Sequence, residues 1–308
     1  MKDVANSPAA GQPPRQAAGR RRAGKTVEYV MQLVFLICGL IAVGFVLVIS
    51  IYLIISGLPA IREVGLIDFL FGKTWNAGQE EFGILAMILT SVYGTAGAIV
   101  LGVPVGFFTA VFLAKVAPPK LAAAIRPVVN LLAGIPSVVY GLVGMIVLLP
   151  WIRTTFNLPA GDSLFAAIIV LAVMILPSII SVSETALHAV PKEYEEASLA
   201  LGATDLETYF RVSVPAARSG IAAAVVLGIG RAIGEAMAIM MVAGNVVNMP
   251  SLFSSVRFMT TGIAIEMNYA QVGSLQRNAL FSIGLVLFLF IMLINVILNF
   301  VLKHNKED

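Results

Sequence analysis

The chain has one cysteine, Cys38, and two histidines, His188 and His304, in 308 residues, and only 12% of its residues are charged. A single cysteine excludes an intramolecular disulfide and a thiolate metal cluster. Two scattered histidines argue against a metalloenzyme, and the Gly-x4-Gly-Lys-Thr spacing at 19–26 lies in the basic tail with no apolar strand before it, so it does not read as a loop that cradles a nucleotide phosphate. The shortage of charge, against 59% hydrophobic residues, departs from the roughly one-quarter charged composition of a soluble domain. Long apolar runs take its place.

Six runs are long enough to cross a bilayer, two of them interrupted by Gly and Pro. They cover about 27–56, 82–113, 127–151, 163–183, 220–243 and 279–302, and predict an all-α polytopic protein with six transmembrane helices. The first run is too long for a signal-peptide core and no small-residue cleavage site follows it, so it reads as an uncleaved span. With the N-terminus inside, outer loops hold only Arg62, Lys73, Arg153, Arg257 and Arg277. The inner segments hold clusters such as Arg20-Arg21-Arg22 and Lys115, Lys120, Arg126. That bias places both termini in the cytoplasm and accounts for the basic surplus by topology and anionic lipid, with no nucleic-acid partner.

The expected organisation is a disordered basic tail over 1–25, a first helix over 26–57 and an external loop over 58–81. A transmembrane core over 82–302 follows, then a short inner C-terminus, 303–308. The external loop, which contains Phe69 and Trp75, predicts a partly ordered segment at the membrane surface. "GAIVLGVPVGFF", with Pro104, and "LLAGIPSVVYGLVG", with Pro136, interrupt the core helices. Such breaks survive in lipid where protein or a water-filled cavity satisfies the freed backbone groups, and small residues also allow close helix packing.

The polar loop at 187–215, "HAVPKEYEEASLALGATDLETYFRVSVP" from His188 on, predicts two short helices. Pro191 suits a first helical position, Glu193, Glu195 and Glu196 load the first turn with the charge the helix dipole favours, and Gly202 supplies a left-handed stop. Thr204 and Glu207 form a capping box, and Pro215 punctuates the exit. Tyr194, Ala197 and Leu201 share one face, with Leu206, Tyr209 and Phe210 on the second helix. The two faces serve either to dock a partner or to pack back on the transmembrane bundle.

Glu196-Ala197-Ser198, then Gly202, then Val212-Ser213-Val214-Pro215 resembles the Glu-Ala-Ala-x3-Gly-x9-Ile-x-Leu-Pro motif of ABC importer permeases. It departs from that form by Ser at the third position and Val for Ile and Leu. "GIGRAIGEAMAIMMVAGN", with "AGIPSVVYGLVG" and "FGILAMI", resembles the phosphate-specific importers of this class, and their PstC-type permease more than the PstA type. Ala236 stands where Thr is usual, and the similarity covers about 82–302.

The resemblance implies a type I ABC importer permease that moves phosphate by alternating access, is not itself an enzyme and uses no cofactor. It implies a PstA-type second permease, two ATPase subunits and an external phosphate-binding protein as partners, within the lipid bilayer. It also implies that the 187–215 loop couples ATPase closure to the membrane through Glu196, Ala197, Ser198, Gly202 and Pro215. Molybdate or sulfate is the alternative cargo. A secondary transporter with an Arg-Glu relay and an intramembrane hydrolase are alternatives of a different kind.

Arg231 and Glu235, four apart in an apolar run, are the candidate translocation residues. An ionised side chain at mid-bilayer costs roughly 2.5–3.5 kcal/mol, so neither faces lipid. On a continuous helix they share a face and can pair, though Arg before Glu is the weaker order. The pair either ties helices together or offers a guanidinium, matched bidentately to an oxyanion, that Glu235 holds in check. Glu184, Arg126 and Asn130 read as inner-end caps and interface anchors, and Glu266 as part of an outer loop.

Overall fold

The computed structural model describes residues 16–304. The expected tail lies outside the described residues as far as residue 15. Its remainder, 16–25, is helical, as Gln, Ala, Arg and Lys allow. Helix α1 runs over Gln16–Val64, longer at both ends than the expected span. The chain divides within this helix into two units, Met1–Tyr52 and Leu53–Asp308. In the first, the large apolar side chains from Tyr29 to Ile51 are exposed, a surface suited to lipid.

The second unit is mainly helical, with one hairpin and an irregular stretch over 244–258 among its described residues. After α1 come α2 (Leu66–Phe71), the paired strands β1 (Trp75–Asn76) and β2 (Glu81–Phe82), and α3 (Leu85–Val111). The strands are antiparallel with Trp75 opposite Phe82, their rings 5.0 Å apart edge to face. The loop expected outside is therefore ordered, with Phe69 and Phe82 buried against Ile84, Met87, Met259 and Leu280.

Then follow α4 (Pro119–Gly134), α5 (Ser137–Val143), α6 (Leu149–Thr155) and α7 (Leu164–His188). The 187–215 region forms α8 (Lys192–Ala200), α9 (Asp205–Thr208) and α10 (Val214–Ala216). The chain closes with α11 (Arg218–Gly234), α12 (Met237–Val242), α13 (Met259–Glu266) and α14 (Leu275–His304). Three π-helical turns interrupt them, at Phe112–Val116, Gly144–Leu148 and Tyr209–Ser213. Among the described residues five helices are long and apolar enough to cross a membrane, and six if α9 to α11, bent by 71°, count as one broken span.

Two expected spans are corrected. The third, placed at 127–151, is split because Ile135 and Pro136 are extended, so α4 is a separate helix and the spanning segment is Ser137–Thr155. Pro136 lacks an N–H to continue the ladder, and it biases the residue before it away from helix. The fifth, placed at 220–243, ends at Gly234 and restarts at Met237.

Close packing of α3 on α7 builds the core. A methyl group added at Gly97, Gly102 or Gly106 would come within 2.6, 2.7 or 2.8 Å of Ile168, Ile175 or Ile179. The glycines thus admit the isoleucines, the small-residue solution to helix contact in lipid. The pairings ascend together along both chains, so α3 and α7 run parallel, as a second and a fourth span must. Gly141 does the same for α5, where an added methyl group would lie 2.9 Å from the Cα of Ala238 on α12.

Candidate functional site

The break after Gly234 decides how Arg231 and Glu235 are used. Glu235 is extended (φ −73°, ψ 133°) and ends α11, which leaves Arg231 in the last turn of that helix. Glu235 then stands at the entrance to α12, where its Oε1 accepts the N–H of Ala238 at 2.9 Å. A cation near a helix C-terminus and an anion near an N-terminus are both favoured by the helix dipoles. An order that is poor within one helix therefore becomes favourable across two. The carbonyl freed by the break does not go unpaired, because Thr260 Oγ1 donates to Glu235 O at 2.7 Å.

The pairing expected on a continuous helix is not formed. Arg231 and Glu235 make no ion pair among the described residues, since the extended backbone turns Glu235 towards α12. Arg231 instead donates from Nη1 to Ser178 Oγ of α7 at 3.2 Å. Ser178 and Arg231 line a cleft of about 450 Å³ with Gly230, Leu227, Val226 and Asn295. Its walls are mostly apolar, so a guanidinium with one neutral partner has donors left to offer an anion there.

The 187–215 region holds the predicted helical hairpin. Pro191 is one residue earlier than expected, capping α8, which starts at Lys192. Gly202 takes φ +87°, the left-handed stop. The capping box is complete: Thr204 N donates to Glu207 Oε2 at 3.1 Å and Glu207 N to Thr204 Oγ1 at 3.4 Å. Glu196, Ala197 and Pro215 are exposed, while Ser198 faces inward with its hydroxyl 2.9 Å from that of the buried Thr208. Tyr194, Leu199, Leu201, Leu206 and Phe210 are all exposed, and Leu201 is 90% exposed. The apolar face is thus turned outward, away from the chain's own bundle.

Sequence reasoning missed three charge clusters whose members are distant along the chain. Glu195 contacts the ammonium group of Lys115 and accepts Ser213 Oγ at 2.7 Å. Burial would raise its pKa, but the hydrogen bonds from Lys115 and Ser213 outweigh that and hold the carboxyl below its ordinary range. A lowered folded-state pKa means that the stabilisation is present at neutral pH and fades as the pH falls through that value.

Arg126 Nε donates to Glu184 Oε1 at 2.6 Å, with His188 Nε2 3.1 Å from Arg126 Nη2, so these are an ion pair rather than separate anchors. Glu266 is held by Trp75 Nε1 at 2.9 Å, by Gln276 Nε2 at 3.0 Å and by Arg257. It ties the hairpin to α13 and α14 and is not a solvated loop charge. The only sequence signal for any of these was charge beside apolar runs, which names no partner.

Several candidate spans, one of them broken at a charged residue, and a polar loop with an exposed apolar face fit a membrane permease. The chain belongs to the family described as binding-protein-dependent transport system inner membrane component, whose model matches residues 102–306. It is 41% identical over 266 residues to a probable ABC transporter permease protein, YqgH, of Bacillus subtilis, covering 83% of this chain and 86% of that one. It is 37% identical to the phosphate transport system permease protein PstC of Mesorhizobium japonicum (77% of this chain, 78% of that one). To PstC of Haemophilus influenzae it is 34% identical (84% and 88%).

Among solved structures, an inward-facing MetNI methionine ABC transporter aligns with a TM-score of 0.58 at 21% identity, covering 72% of this chain and 95% of that one. A bacterial alginate ABC transporter aligns with a TM-score of 0.58 at 14% identity, covering 92% and 95%. These likenesses bear on fold, and the fold they share is that of ABC importer permeases.

Proposed function

We propose that this chain is the PstC-type permease of an ATP-driven importer that carries inorganic phosphate through a bacterial inner membrane by alternating access. The observation that carries this reading is Arg231, whose guanidinium lines a cleft with a neutral hydroxyl partner and no carboxylate among the described residues. Similarity to PstC permeases across most of the chain supports phosphate as the anion. The guanidinium offers two parallel N–H bonds to one face of a phosphate, and a single cation leaves the anion free to depart.

The remaining parts of the reading rest on this one. The permease core is 82–302, with both termini in the cytoplasm, as the distribution of Lys and Arg favours. The 187–215 loop offers its outward apolar face to one of two ATPase subunits, with Glu196, Ala197, Ser198, Gly202 and Pro215 shaping it. A PstA-type permease completes the pathway, and an external binding protein delivers phosphate and sets most of the selectivity. The chain itself hydrolyses nothing. Glu235, engaged at the start of α12, is the group that swings towards Arg231 to expel the anion when the gate moves.

Uptake of labelled phosphate, sulfate and molybdate at low external concentration, in cells with and without this gene, tests the proposal. Loss of phosphate uptake alone, abolished by ATP depletion and not by an uncoupler, is the expected result. Loss of sulfate or molybdate uptake with phosphate untouched would overturn the cargo.

A further inference from the structure

Helix α8 turns one face outward and the other inward, and the inward face is built from Glu195 and Ser198, three residues apart. Ser198 ties α8 to α9 through Thr208. Glu195 reaches further, out of the loop altogether, to Lys115 at the end of the α3 region.

Both partners of Glu195 lie in π-helical turns. Lys115 is in Phe112–Val116, which continues α3, and Ser213 is in Tyr209–Ser213, which leads out of α9. Single π turns interrupt the regular ladder and recur where helices must change shape. The carboxylate therefore bridges two places where backbone geometry departs from the regular helix.

Beside it lies a small apolar cluster: Val111 of α3, Leu187 of α7, and Val190 and Ala217 at the two ends of the loop. Gly220 of α11 presses on Ala186 of α7, where an added methyl group would come within 2.4 Å. Apolar packing of this kind resists compression but is non-directional, and it lets surfaces slide or part. A buried ion pair fixes one atom of α8 to one atom beyond α3 and transmits a pull as well as a push. Lys115 and Glu195 have side chains only 10% and 20% exposed, and Ser213 is fully buried.

We propose that Glu195 is the positioning residue through which movement of the 187–215 loop is passed to α3, and through the α3–α7 contact to Ser178 of α7, the hydrogen-bond partner of Arg231. The proposal rests on the reading that an ATPase docks on this loop. It adds a residue that the motif resemblance does not supply, since the motif's glutamate is the exposed neighbour, Glu196. Removing either partner leaves the other charge buried and unpaired, so both single variants break the tie, whereas exchanging the charges keeps it.

The test uses the assembled complex in proteoliposomes with its external binding protein, reading phosphate moved per ATP hydrolysed. The variants are Glu195→Gln, Lys115→Met and the exchange Lys115→Glu with Glu195→Lys. The expected result is continued ATP hydrolysis with phosphate per ATP lowered about fivefold or more in both single variants, and restored in the exchange.

An unchanged ratio in Glu195→Gln overturns the proposal, as does a parallel loss of hydrolysis and uptake that the exchange fails to reverse. If the single variants do not assemble, the exchange alone decides. A wild-type ratio supports the tie, and a lowered ratio or failure to assemble overturns it. A wild-type complex that moves phosphate without hydrolysing ATP would instead remove the importer reading on which the proposal stands.

Discussion

At the scale of single residues, the informative pair is Arg231 and Glu235. The sequence showed that two charges had been brought into an apolar run and that lipid could not be their environment. It could not show that the helix stops between them, because Gly234-Glu235-Ala236 contains no proline and reads as continuing helix. The carbonyl at the stop is satisfied from outside, by Thr260, and the stop separates the two charges onto two helix ends. On the proposed anion-contact role, planarity of the guanidinium matters more than its charge. Arg231→Lys keeps the charge and loses the bidentate fork, so initial phosphate uptake should fall about tenfold, and Arg231→Gln should reduce it further. Equal uptake by wild type, the lysine variant and the glutamine variant in a correctly assembled complex would remove Arg231 from the pathway.

At the scale of elements, local rules were legible and distant ones were not. The capping box at Thr204 and Glu207, the left-handed Gly202 and the punctuation by Pro136 and Pro191 each act within a few residues, and each shows in the backbone. The tie from Lys115 to Glu195 joins residues 80 apart, and that from Trp75 to Glu266 residues 191 apart. No periodicity encodes such a meeting.

The glycines of α3 fall between these cases. As small residues they allowed close packing, but only the structure names Ile168, Ile175 and Ile179 as what they admit. Gly102→Leu would drive a side chain into Ile175 and the backbone carbonyl of Ala172. Overpacking of this kind costs typically about 1–3 kcal/mol, so thermal unfolding of the purified complex should move down in temperature and assembly should fall. Unchanged thermal stability would mean that α3 and α7 are not packed as described.

At the scale of the whole molecule, composition alone fixed the class: a chain so poor in charge and so rich in apolar runs lives in a membrane. Among the described residues five helices, or six with the bent pair, meet the expectation of six spans, although the third is broken at Pro136, where the sequence showed an interruption, and the fifth after Gly234, where it showed none. The breaks cluster beside Arg231 and in the segment that packs on α12, while the long unbroken helices carry the packing. On the proposed reading the pathway takes its motion from outside this chain, since the Gly-x4-Gly-Lys-Thr spacing at 19–26 lies within helix α1 and not in a loop between a strand and a helix.

The central claim is that this source is ATP, acting through the 187–215 loop on an anion pathway. It is tested most directly by accumulation of labelled phosphate in proteoliposomes holding the complete complex, loaded with ATP or without it, in the presence of the external binding protein. The account predicts accumulation against the gradient only when ATP and binding protein are both present, unaffected by collapse of the proton gradient. Accumulation driven by a proton gradient without ATP would contradict it.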